Sequence, residues 1–232
     1  MADNIILTKE TIIKVAHQYK MKALFLPKYD MTKAGNGAHI HMSFYNKSTG
    51  KSLFTSDSGD LSLQGSSFIE GILQHLPSIM GVTLPTNNSF KRIGKGCWTG
   101  SSVGWAIEDK ECGIRVCRNL MTSELDHVEC KLVDSTCNIY MALTSLLVSG
   151  LEGIKQNLTL RPSLHEIQNT DKVVPLPSSV EDAFAGLEQD TLLCNTFGPT
   201  LMKGYLALRR NEAQRSSTMN LSDEIKEALE RS

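Results

Sequence analysis

Apolar positions along this chain recur with two periods, and the two divide it into helices and strands. From Thr8 to Lys20 the spacing is helical, with Ile12, Val15, Ala16 and Tyr19 on one face. Ser66 to Leu76 repeats the pattern with Ile69, Ile72, Leu73 and Leu76 inward, and Pro77 marks a kink or a fresh first turn. The strongest helical pattern covers Asn138 to Lys155, with Tyr140, Leu143, Leu147, Leu151 and Ile154 on one face. Ser178 and Glu181 make a capping-box pattern that opens a further helix, and a last helix runs from Pro199 to Arg210. Period-two alternation predicts a strand over Ala38–Phe44, with Ser52–Phe54 returning across the turn Asn46–Lys51. Further strands are predicted at Ala23–Leu26, Ser102–Ile107, Gly113–Cys117 and Leu125–Val133. KYDMTKAGNG, Leu84–Gly100 and Pro162–Pro177 are loops by composition.

Together these elements predict an α+β fold, a partial antiparallel sheet with helices packed on one side. So small a strand set suits part of a larger sheet. The expected organisation is one domain over 1–218 and a charged tail over 219–232, in which only Leu221, Ile225 and Leu229 offer apolar anchors.

Composition narrows the function classes. The 232 residues are 41% apolar, enough for a sizeable core, and the net charge is -1 with both signs interspersed. That balance argues against a nucleic-acid or anionic-membrane partner. No apolar run reaches the length of a membrane span. MADNIILTKE has no signal-peptide pattern, so a cytoplasmic protein is expected. Six cysteines with no CxxC pair then read as reduced, mostly buried thiols.

Three segments carry candidate chemistry. In GNGAHIHMS, alternation places His39, His41 and Ser43 on one strand face behind a loop whose glycines admit a ligand to the backbone. Two imidazoles and a hydroxyl suit a metal and phosphate oxygens, but the same pattern suits a solvated face. In HVECK, His127, Glu129 and Lys131 share a face, which fits a metal ligand, an anion site or a cross-strand ion pair. In NSFKR, followed by Gly94, Lys95 and Gly96, Arg92 is a candidate carboxylate clamp or part of an ordinary basic loop. Arg115, in a half-apolar strand, calls for a fixed anionic partner.

Taken in order, VAHQYKMKALFLPK, AGNGAHIHMSF, PTNNSFKRI, GIRV, HVECKLVDSTCNIYMAL and GLEGI resemble glutamine synthetase, over about residues 2–210. GCWTG after Arg92 looks like the branch of nodulin-type and fungal developmental-regulator homologues. The resemblance implies the C-terminal part of that family's catalytic barrel. It also implies the family reaction, in which ATP and Mg²⁺ or Mn²⁺ serve to join ammonia to glutamate through γ-glutamyl phosphate. His39 and Glu129 would then be metal ligands, and His41, Ser43 and Arg115 would line the nucleotide. Gly35, Arg92 and Lys131 would meet glutamate, and Arg92 and Lys110 would serve the transfer step.

Departures from the family pattern bear on substrate. Ala34 replaces a glutamate-binding Asn, Lys131 and Lys110 replace arginines, and Trp98 stands at the flap glutamate. By the resemblance, the family's other metal carboxylates and its small N-terminal β-domain precede Met1. The expected consequences are an unpaired edge strand, an open concave sheet face, a tendency to associate with itself or a longer homologue, and impaired catalysis. Two other readings stand beside that one: an active glutamate–ammonia ligase whose upstream part is missing from this sequence, and an unrelated metal hydrolase built on His39, His41, His127 and Glu129.

Overall fold

The computed structural model describes residues 1–94, 96–168 and 173–230, so Lys95 lies outside the described residues. The described elements are α1 (Ala2–Gln18), β1 (Ile40–Met42), α2 (Leu63–Thr83), α3 (Asn87–Phe90), β2 (Trp105–Ile107), β3 (Ile114–Arg118), β4 (Leu125–Cys130), α4 (Ile139–Gln156), α5 (Val180–Gln189), α6 (Thr191–Phe197), α7 (Pro199–Ser216) and α8 (Leu221–Glu230).

The α+β class holds, with a four-stranded sheet in the order β1-β4-β3-β2. It is mixed rather than wholly antiparallel: β4 pairs antiparallel with β1 and β3, whereas β2 runs parallel to β3. Alternation divides the sheet. Ile40, Met42, Ile114, Val116, Val128 and Cys130 face a core shared with α2 and α4, and the opposite face carries the polar side chains. The β2 edge is strapped by the segments over residues 161–168 and 173–176. Leu164 N donates to Trp105 O at 2.9 Å, Val103 N to Val174 O at 2.8 Å, and Leu176 N to Ser101 O at 3.0 Å. Among the described residues no strand pairs with the outer edge of β1.

Several expected elements shift. The run at residues 23–26 is not a strand but unpaired chain, and residues 52–54 return only as an isolated bridge between Tyr45 and Ser52. α2 continues through Pro77 to Thr83. The helix opened at residue 178 is capped one position later, Ser179 Oγ accepting from Asp182 N at 3.1 Å.

The largest correction is in α4. Tyr140, Leu147 and Leu151, expected inward, are 51%, 45% and 59% exposed. The buried side is Ile139, Met141, Ala142, Ser145, Leu146, Ser149, Gly150 and Gly153. Small residues let α4 approach α2 backbone to backbone. A Cβ on Gly71 would stand 2.2 Å from Ser149 O, and one on Gly153 would stand 2.1 Å from Ser67 O.

Residues 221–230 are helical, and Glu224 is buried. Its Oε2 accepts from Asn88 Nδ2 at 2.8 Å and Lys91 Nζ at 2.7 Å. Asn88 in turn holds residue 28, accepting from its backbone N at 2.7 Å and donating to its O at 2.9 Å. Glu224→Ala is expected to cost about 1–3 kcal/mol by leaving Asn88 and Lys91 unmatched. It should also speed amide hydrogen exchange selectively over residues 88–92.

Candidate active site

Register brings the candidate residues of three strands together. His41 and Arg115 both lie opposite Glu129, from β1 and β3, and Cys117 lies opposite His127. Glu129 is the centre. Its side chain is 4% exposed, Oε1 accepts from His39 Nδ1 at 2.9 Å, and His41 Nε2 is 3.4 Å away. Arg115 Nε approaches Oε2 at 2.7 Å without hydrogen-bond alignment, so this ion pair leaves Oε2 buried with no hydrogen bond. Burial works to raise the Glu129 pKa. The His39 hydrogen bond and the charges of Arg115 and Lys131 outweigh it and hold the carboxyl at about 2. Glu129 is therefore ionised at neutral pH. The His41 pKa is lowered as well, chiefly by burial, which in a histidine disfavours the charged ring. Ser43 lies exposed just beyond the end of β1.

Arg92 occupies a different position, inside the fold. It is 3% exposed, and its Nη2 donates to Lys131 O at 3.1 Å and Val133 O at 2.9 Å. Gly35 and Gly37 are small because of it: a Cβ on Gly35 would meet Arg92 Cγ at 2.5 Å, and one on Gly37 would meet Arg92 Nη1 at 3.0 Å. Lys131 is 3% exposed and also turns to main chain, its Nζ donating to Lys110 O at 2.6 Å. Lys110 itself is exposed, with Nζ over the Trp98 ring at 5.9 Å from the centroid. Two positions expected from sequence to depart from the family pattern thus meet in a cation–π contact. Trp98 has a left-handed φ of 59°, and Glu111 holds its turn by accepting from Gly96 N at 2.8 Å and Trp98 N at 3.3 Å.

A hard divalent cation takes several oxygen ligands in a near-ideal shell. This face offers it Glu129, with one oxygen bonded to His39 and the other beside Arg115. The described residues therefore fit a contributor to a Mg²⁺ or Mn²⁺ shell and not a whole one. Among the described residues, the grouping with metal-ligand spacing is His41, Cys117 and His127, whose ligand atoms lie within 4.8 Å of one another. Cys117 was not singled out from sequence beyond being a buried thiol. Alternation placed it two residues after Arg115 on the same face, and that was the available signal. The pairing of Asn88 with Glu224, which braces the Arg92 segment, had no sequence signal because the two meet across 136 residues. A cavity of about 360 Å³ is lined by Phe25, Thr86, Arg209 and Met219 among others, away from this face.

The family model described as glutamine synthetase, catalytic domain, matches residues 1–227. The chain belongs to the glutamine synthetase family. A glutamine synthetase of Methanocaldococcus jannaschii is 30% identical over 91% of this chain and 48% of its own length. Type-1 glutamine synthetase 1 of Dictyostelium discoideum is 29% identical over 98% of this chain and 46% of its own length. Protein fluG of Emericella nidulans is 27% identical over 99% of this chain and 25% of its own length. The chain thus spans about half the length of the curated glutamine synthetases it matches, and a quarter of fluG. A solved structure titled a novel glutamine synthase homolog superposes with a TM-score of 0.84 at 26% identity, over 99% of this chain and 53% of that one. The α+β class and the family expected from the linked motifs therefore stand together. Among the described residues no helix is long and apolar enough to cross a membrane.

Proposed function

We propose that this chain is a catalytic-domain portion of a glutamine synthetase-like ligase, turns over weakly or not at all by itself, and acts by binding or assembly. The family reaction is the ATP-dependent ligation of ammonia to glutamate through γ-glutamyl phosphate. In this reading His39 and Glu129 contribute to a divalent-metal shell, and His41, Ser43 and Arg115 line the nucleotide. Gly35, Arg92 and Lys131 belong to the glutamate side, and Arg92 and Lys110 to phosphoryl transfer. The protein acts in the cytoplasm.

One observation carries the impairment. The two cations assigned to glutamate, Arg92 and Lys131, are each 3% exposed and donate to main-chain carbonyls. With Nη2 turned to main chain and Nε buried without a hydrogen bond, the Arg92 guanidinium is not displayed at the surface as a two-pronged carboxylate clamp. Assembly with further copies or a longer homologue is supported by the unpaired β1 edge and the exposed Tyr140, Leu147 and Leu151 on α4. A second reading, an active glutamate–ammonia ligase in combination with further chain, is favoured by Glu129 itself. It is ionised at neutral pH, has Oε2 free of hydrogen bonds, and stands beside half-exposed His39 and His41.

The purified chain should give background rates in γ-glutamyl transferase and biosynthetic assays with Mg²⁺ or Mn²⁺. Clear turnover that disappears in Glu129→Ala would overturn the impaired reading.

A further inference from the structure

We propose that His41, Cys117 and His127 form a three-ligand site for a zinc-class divalent metal ion on the polar face of the sheet. Each of the strands β1, β3 and β4 supplies one ligand, so the site is built on paired backbone and not on a loop. Cys117 and His127 are register partners, and the rings of His41 and His127 stand 5.0 Å apart between centroids, tilted by 49°. The three ligand atoms lie within 4.8 Å of one another. Around a tetrahedral zinc ion with bonds of about 2.0–2.3 Å, ligand atoms stand roughly 3.3–3.8 Å apart. Side-chain shifts of about an ångström therefore close the site, well within rotamer motion at positions as open as His41, whose side chain is 48% exposed.

The donor set selects the metal. Two imidazoles and a thiolate suit zinc and its thiophilic neighbours, and they do not suit Mg²⁺, which wants oxygen. Three protein ligands leave a fourth position for water or an incoming group. The surroundings fit as well. Asp126 Oδ1 accepts a hydrogen bond from His127 Nδ1, which fixes the tautomer and leaves Nε2 as the ring's lone-pair donor. A carboxylate behind a ligating histidine is the usual outer support of such a metal. The Glu129 carboxylate stands 3.4 Å from His41 Nε2, with Arg115 as its paired charge.

Cys117 is 4% exposed, and its hydrogen bond to Arg115 O is long, at 3.9 Å. Burial pushes its thiol up to about 11, so the metal-free protein holds a neutral thiol and not a ready nucleophile. A metal ion displaces that proton on binding. The site rests on these side chains alone and does not depend on the ligase reading.

The test uses the whole reduced, chelator-treated chain titrated with Co²⁺. One equivalent should produce a thiolate-to-cobalt charge-transfer band in the near ultraviolet together with the visible bands of a tetrahedral ion. Zn²⁺ should displace the signal, and excess Mg²⁺ should not. Cys117→Ser should remove the thiolate band, while Cys194→Ser, a remote half-buried thiol, leaves it. His127→Gln keeps a half-exposed polar side chain and should weaken binding at least about tenfold, as should Asp126→Asn. Circular dichroism verifies that each variant is folded. Absence of the thiolate band, its survival in Cys117→Ser, or unchanged affinity in His127→Gln would overturn the assignment.

Discussion

Gly153→Ala is expected to destabilise the protein by about 3 kcal/mol or more, where the same change in an ordinary helix stabilises by about 1 kcal/mol. The sign reverses because α2 and α4 touch through their backbones. The new methyl would lie 2.1 Å from Ser67 O and 2.8 Å from Gly71 Cα, and neither is the end of a flexible side chain. Helices of this length cannot yield locally, so the pair must separate along its whole contact, and Phe68 and Leu146 lose packing with it. Gly204 on α7 provides the internal control. It is exposed, with nothing within 4 Å of its would-be Cβ, so Gly204→Ala should be neutral or mildly stabilising. Urea unfolding of the two variants should move the midpoint in opposite directions. Equal shifts would show that the helix pair is looser than the Gly71–Gly153 contact requires.

Glu70→Ala should cost about 3 kcal/mol, at the lower end of what breaking a buried ion pair costs. Glu70 on α2 is 7% exposed, and it holds Arg161 in several ways at once. Arg161 Nη2 donates to Oε1 at 2.7 Å, Nε to Oε2 at 3.0 Å, and the backbone N to Oε2 at 3.1 Å. Arg161 retains 31% exposure, so its guanidinium recovers some hydration once freed. Arg161 also opens the segment that straps β2, and its carbonyl accepts from Trp105 Nε1 at 2.8 Å. Glu70→Ala should therefore also raise hydrogen exchange over residues 161–168 and in β2, an effect that lost α2 stability alone does not produce. Glu70→Gln keeps the shape and one acceptor and should lose less. A midpoint shift equal to that of a surface substitution would mean that Arg161 relaxes into solvent and the strap stands without it.

The polar sheet face was legible from sequence because its code is local. Alternation alone placed His39 with His41 and Glu129 with His127, and register then joined them. α4 was misread for an equally physical reason. Periodicity weights large apolar residues and so selects Tyr140, Leu147 and Leu151 as the buried stripe. The real contact selects the smallest side chains, because closeness to α2 replaces bulk as the source of packing. Arg92 was legible as a candidate carboxylate clamp, but not its direction. A side chain that ends on the carbonyls of residues 131 and 133 depends on a contact about 40 residues away. The turn of Lys131 onto Lys110 O is hidden from periodicity for the same reason.

Glu224 gives the far end of the chain a say in the Arg92 segment. Its carboxylate joins Asn88, Lys91 and, through Asn88, the backbone of residue 28. These lie just ahead of Arg92 and of the Gly35 loop that wraps it. A pull on α8, from a fused tag, a surface immobilisation or an optical-trap handle, would be transmitted to the base of that loop before it reached the sheet. A C-terminal attachment point is thus a mechanical lever on this protein.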